Sequence, residues 1–121
     1  MSQEDQKVSE ERSESGDIVL CGANSYEEKY YLNPKFDSLP SQVKDELKIM
    51  CVLFAEEAGG ILTLEYLADG SLVFRTRADD YDFYYDEIEA GLAVKKLQKE
   101  KQELLEALEL YYRTFFSGEK A

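Results

Sequence analysis

The chain predicts an α+β fold: a small antiparallel sheet with a central β-hairpin at about residues 61–77, one helix before it and a long helix after it. Three observations carry that expectation. Apolar residues recur every three or four positions between Ser41 and Ala58. Two runs rich in Ile, Leu, Val, Thr, Tyr and Phe are joined through Asp69-Gly70, a strong short-range hairpin signal. From about residue 80 to residue 116 the helical period returns and is sustained. With 121 residues the chain is one domain's worth, long enough to bury roughly two thirds of the surface its unfolded form exposes.

Residues 1–17 read as an acidic tail, with six acids, two bases and Val8 as the one sizeable apolar residue after Met1. Such a segment has too little apolar surface to offset the entropy of ordering it, so disorder is expected there and a single α+β domain over 18–121. The start of the chain lacks the basic and apolar regions of a secretory signal, and no run of about 20 apolar residues exists. A cytoplasmic location is therefore expected, with Cys21 and Cys51 as free thiols.

Order is expected to begin with two short extended patches. Ile18 to Cys21 is an apolar run followed by the turn-prone Gly22, Ala23, Asn24 and Ser25, and Lys29 to Leu32 ends at Asn33-Pro34. The next helix starts at Pro40-Ser41. Val43, Leu47, Met50, Cys51, Phe54 and Ala58 form its apolar face, and Gly59-Gly60 stops it. In the second hairpin strand Leu72, Phe74 and Thr76 alternate with Val73, Arg75 and Arg77, and the latter face is expected to reach solvent.

The last element, about 80–116, is expected as one long helix, bent at most at Gly91. Asp79, Asp80 and Asp82 suit a helix start as caps and as charges at the positive end of the macrodipole. Lys95, Lys96, Lys99 and Lys101 would sit badly at the start of a fresh helix after Gly91. Ala90, Leu97, Leu104 and Tyr111 repeat every seven residues, with Val94, Lys101, Leu108 and Phe115 as the companion row. Leu105, Tyr112 and Phe116 widen that face. It fits a core-facing helix, and it also fits a self-associating seam through Leu97, Leu104, Leu105, Leu108, Tyr111, Tyr112 and Phe115, which makes a homodimer the expected assembly.

Charge and composition narrow the function. The chain has 26 acids against 14 bases, a net charge of -12, no histidine and two cysteines. Histidine-dependent nucleophile pairs and zinc sites are thereby removed, and two cysteines cannot build a four-thiolate site. An acidic field opposes direct binding of nucleic acid or an anionic membrane. No phosphate loop, dinucleotide fingerprint or nucleophile elbow is present, and no cofactor or metal is expected. Cys51 lies on the apolar face of its helix and reads as a small buried hydrophobe, while Cys21 has no histidine to activate it.

The densest chemical feature is the stretch Asp79, Asp80, Tyr81, Asp82, Phe83, Tyr84, Tyr85, Asp86, Glu87, Ile88 and Glu89. It holds six acids, four aromatic rings and no base. As a recognition surface its rings supply contact area at small entropic cost, and its carboxylates attract a basic partner. As helix, Tyr81, Tyr84, Tyr85 and Ile88 share a face and simply pack. An EF-hand is a poor fit, because Tyr84 and Tyr85 fall where an oxygen ligand and a glycine are required. The lysines at 95, 96, 99 and 101 are offset by Glu100, Glu103, Glu106 and Glu109 and read as a solvated helix face.

The stretches CGANSYEEKYYLNP, LPSQVKDELKIMCVLFAEEAGGILTLEYLADGSL and LQKEKQELLEALELYYRTFF resemble a family of small bacterial proteins known as a domain of unknown function. The resemblance covers about Cys21 to Phe116. It implies a bacterial, cytosolic protein with no assigned activity, and no functional residues carry over from it.

These features together lead to an expectation of a non-enzymatic, adaptor-like or chaperone-like module that binds another protein with a basic surface. The alternative is a nucleic-acid mimic whose carboxylates imitate a phosphate row and block a DNA-binding protein. A small enzyme using Asp, Glu, Tyr or Cys21 ranks third.

Overall fold

The computed structural model describes residues 17–116; the tail expected to be disordered, up to residue 16, lies outside the described residues. The fold is α+β. Four strands, β1 (Ile18–Asn24), β2 (Lys29–Leu32), β3 (Ile61–Tyr66) and β4 (Leu72–Arg77), form an antiparallel sheet in the order β2-β1-β3-β4. Helix α1 (Ser41–Ala58) links β2 to β3, and α2 (Glu87–Glu100) and α3 (Gln102–Phe115) follow the sheet. No helix among the described residues is long and apolar enough to cross a membrane.

Strand β1 is longer than its apolar run because Gly22, Ala23 and Asn24 continue the strand instead of turning. Gly22 pairs with Tyr31 on one side and Thr63 on the other, and a Cβ there would lie 2.7 Å from the Leu62 carbonyl oxygen. Glycine at this position reflects close backbone approach within a strand, so the turn comes later, at residues 25–28. A bulge between Val19 and Cys21 inserts Leu20 as an extra residue. Buried Asn33 secures this region: its backbone N–H donates to the Leu20 oxygen (2.9 Å), its side-chain amide donates to the Val19 oxygen (2.8 Å), and its Oδ1 accepts from Lys35 N (3.0 Å). That last bond caps the short 3₁₀ turn Pro34–Phe36, which drives Phe36 into the core.

One face of the sheet contributes Cys21, Ala23, Leu62, Leu64, Tyr66 and Leu72 to the core, and α1 meets it with Leu47, Met50, Cys51, Phe54 and Ala55. The predicted α1 face is the face that is buried. Helix α3 closes the core through aromatic rings. Tyr66 stacks on Tyr112 at a centroid distance of 4.1 Å, Tyr112 on Phe116 at 5.3 Å, and Phe36 lies 5.6 Å from Tyr66. The Tyr66 hydroxyl donates to the Leu108 carbonyl at 2.9 Å, so its polar end is satisfied inside the core. At the hairpin, Leu72 N donates to Glu109 Oε2 (2.8 Å) and Arg113 Nε donates to the Asp69 oxygen (3.2 Å), which ties α3 to β4 and its turn.

The opposite face of the sheet carries a charge network that the alternation of β4 only partly announced. Arg75 and Arg77 reach solvent as expected, but Glu65 beside them is 3% exposed. Its carboxylate accepts from Thr63 Oγ1 (2.7 Å) and from Arg75 Nε (2.8 Å), while Arg75 Nη2 reaches Asp17 (2.8 Å). The bonds to Asp17 and then to Glu65 hold the Arg75 guanidinium above its already high pKa.

The expectation of one helix over about 80–116 is corrected in two ways. Residues 80–86 are not helical, because aspartate side chains there take the backbone N–H groups that a helix would need to leave free for its ladder. Asp82 Oδ1 accepts from Tyr84 N (3.1 Å), and Asp86 Oδ1 accepts from Ile88 N (2.9 Å) and Glu89 N (3.2 Å), so Asp86 is the true N-cap. The break falls at Lys101 and not at Gly91, which sits inside regular helix. Lys101 occupies the inward row, where its ammonium bonds Glu46 of α1 at 3.2 Å, and its backbone leaves the helical region at φ -108 and ψ 23. On one side of this break α2 packs on α1; on the other α3 packs on the sheet.

Tyr112→Ala is expected to lower unfolding free energy by about 3–5 kcal/mol, as for other large aromatic truncations in cores, and Tyr66→Phe by about 1 kcal/mol for the lost hydroxyl bond. Urea titration followed by circular dichroism measures both. Arg75→Ala is expected to cost about 2 kcal/mol because it leaves the buried Glu65 carboxylate without its counter-charge and with only the Thr63 hydroxyl as partner, and adding Glu65→Gln should recover part of that loss.

Candidate functional site

Residues 79–86 of the acidic-aromatic segment form a loop between β4 and α2, fastened near both ends, and Glu87, Ile88 and Glu89 begin α2. At its start, the Tyr26 hydroxyl, from the β1–β2 turn, donates to Asp82 Oδ2 (2.6 Å) and accepts from Asp79 N (3.0 Å). The bond to Asp82 is the main reason the Tyr26 phenol is held above its ordinary pKa. At the far end Tyr85 lies against Gly60. A Cβ on Gly60 would come within 2.7 Å of the Tyr85 ring and 2.6 Å of the Arg77 oxygen, and φ there is +73. Only glycine combines that conformation with that clearance.

Between the two fastenings the side chains divide into two groups. Asp79 and Asp82 accept hydrogen bonds from the loop's own N–H groups and shape its turns, and Asp86 accepts from the first turn of α2. Tyr81, Phe83 and Tyr84 do the opposite: their relative exposures are 84%, 86% and 98%. Asp80, Glu87 and Glu89, close to them in sequence, are also exposed. The reading in which Tyr81, Tyr84, Tyr85 and Ile88 pack as one helical face is therefore overturned, since only Tyr85 is partly buried and Ile88 is 76% exposed. Beside the loop an open depression is lined in part by Asn24, Tyr26, Arg77, Asp79 and Asp80.

The proposed seam residues point mostly into their own chain. Leu108 and Tyr112 are core, and Leu97, Leu104, Leu105 and Tyr111 are partly buried against it. Phe115 is the exposed member, with its ring 5.1 Å from Tyr111. A symmetric seam along these seven residues would need the same apolar surface twice, once against the sheet and once against a second copy.

Cys21 and Cys51 are both buried, with their sulfur atoms 3.8 Å apart across the interface of β1 and α1. The contact with Cys51, followed by burial, pushes the Cys21 thiol well above its ordinary pKa, which is the wrong direction for a nucleophile. Among the described residues no group of three or more His, Cys, Asp or Glu side chains is placed to hold a metal ion. Sequence reasoning missed Tyr26 and Gly60 as the loop's fastenings. An isolated aromatic within the polar turn after β1 was the only signal for the first, and a glycine beyond the one needed to stop α1 was the signal for the second.

Residues 17–120 match the model of a family of unknown function (DUF6145), and the chain belongs to that family. No curated protein and no solved structure shows significant similarity to it.

Tyr26→Phe removes the hydroxyl that both donates to Asp82 and accepts from Asp79 N. Amide hydrogen exchange at Asp79 to Tyr84 is expected to accelerate, while exchange in β3 and α1 stays as it was.

Proposed function

We propose that the chain is a non-enzymatic protein-interaction module, whose docking surface is the loop carrying Tyr81, Phe83 and Tyr84 within a ring of acids. The single observation that carries this reading is the near-complete exposure of three consecutive-region aromatic rings on a fastened loop. Large apolar side chains left in water cost free energy that a monomer has no reason to bear, and aromatic rings are the groups that dominate binding energy at protein interfaces. Fastening at Tyr26 and Tyr85 reduces the entropy lost when a partner immobilises the loop.

Charge selects the partner class. Asp80, Glu87 and Glu89 present carboxylates beside the rings with no lysine or arginine from residue 78 to residue 94. The partner is accordingly a protein with a basic surface and an apolar cleft, approached under electrostatic steering. Nucleic-acid mimicry receives less support from this geometry. Asp79, Asp82 and Asp86 accept hydrogen bonds from the loop, from Tyr26 and from the start of α2, and the remaining acids are interrupted in sequence by the exposed rings, which a phosphate row does not offer.

The test is affinity capture from the source cells with the wild-type chain and with Tyr81→Ser/Phe83→Ser/Tyr84→Ser. A basic protein retained by the wild type, released at raised salt and lost with the triple variant is the expected result, with thermal midpoints equal within error. Capture that is indifferent to the triple variant would overturn the reading.

A further inference from the structure

We infer that the outward face of α2 is a second interaction surface, for another copy of this chain packed antiparallel across Ile88, Gly91, Leu92 and Lys95. These four residues follow the i, i+3, i+4, i+7 spacing that places side chains along one side of a helix. The side is opposite Ala90, which is fully buried, and away from Ala93, Val94 and Leu97, which pack on the core. Ile88 is 76% and Leu92 63% exposed, so the stripe has no cover within the chain.

Gly91 is the second observation. It is exposed in the middle of regular helix, where glycine is less favourable than any ordinary residue, and a Cβ there would meet nothing within 4 Å. Nothing inside the chain needs a glycine at that point. A second helix crossing there does, because the absent side chain lets two backbones approach closely.

Charge fixes both the occupant and its direction. Along α2 the acids Glu87 and Glu89 lie at the start, Lys95, Lys96 and Lys99 follow in the second half, and Glu100 is the one acid at that end. A parallel copy would set like charges side by side. An antiparallel copy sets the acids of each chain beside the lysines of the other, and does so twice because the arrangement is two-fold symmetric. Glu87 to Lys99 spans about 18 Å of helix, so both charge blocks and the apolar centre fall within one contact. The exposed pair Ile49 and Leu53 on α1 has no such segregation of charge around it and fixes no partner. The α2 stripe shares no side chain with Tyr81, Phe83 and Tyr84, and Glu87 and Glu89 border both surfaces.

The experiment is the solution mass of the full chain by light scattering, with circular dichroism to confirm folding. The wild type is expected at twice its mass of 13.9 kDa and Leu92→Glu at the single mass. Gly91→Gln should raise the thermal midpoint of the single chain by improving the helix, yet abolish the dimer. Glu87→Lys/Glu89→Lys and Lys95→Glu/Lys96→Glu/Lys99→Glu should each be monomeric alone and form a heterodimer when mixed in equal amounts. A wild type that stays monomeric at every attainable concentration overturns the inference, as does a dimer that survives Leu92→Glu or a mixture that fails to pair. The triple serine variant of the loop should remain dimeric, which separates this surface from the docking loop.

Discussion

The stack of Tyr66 on Tyr112 is the contact through which the two parts of the molecule become one. The sheet and α1 share a core of aliphatic side chains and the two cysteines, but α3 joins that core chiefly with rings and with the bond from Tyr66 to the Leu108 carbonyl. Phe36 and Phe116 extend the same cluster, and Phe36 reaches it only because Asn33 holds the chain against the β1 bulge. The position of α3 in turn sets that of α2 through Lys101 and its bond to Glu46, and α2 carries the end of the acidic loop. Loss of the aromatic cluster would therefore be felt in the geometry of surfaces that contain none of its residues.

The same segment of chain is used for contrasting tasks on either side of Asp86. Before it, aspartates bond backbone N–H groups and hold a loop that is unable to bury its rings. After it, the same carboxylate chemistry starts a helix, with Glu87 and Glu89 at the favourable end of the macrodipole. The sharp drop in burial from Phe74 to Phe83 follows from this division, since a loop of self-bonded aspartates has no apolar face to offer the core.

Periodicity in the sequence made α1 and the β3–β4 hairpin legible, including which face of each is buried, because both are repetitive elements bounded by strong stop and turn residues. It failed where one residue type supports two structures. Gly22 reads as a turn residue in the sequence because close strand approach leaves no mark in a single chain. Asp79, Asp80 and Asp82 resemble a helix start, and the cap is Asp86, because Asp79 and Asp82 bond their own neighbours before a helix can form. The repeat from Ala90 to Phe115 was real, but a seven-residue spacing describes a face and not its partner, and that partner is mainly the chain's own sheet and α1. The acidic-aromatic stretch was found from composition alone. What composition could not supply was its exposure, which depends on the fastenings at Tyr26 and Gly60, residues distant in sequence.

The loop between those fastenings has a further property. Tyr81, Phe83 and Tyr84 contribute nothing to the packing that holds the fold together, whereas Tyr26, Gly60, Tyr85 and Asp86 maintain the loop's path. Substitutions at the three ring positions therefore carry little penalty in folding, while those at the four supporting positions do. Selection can revise what the tip recognises without re-optimising the scaffold, so divergence among descendants of this chain should concentrate at the rings and spare their supports.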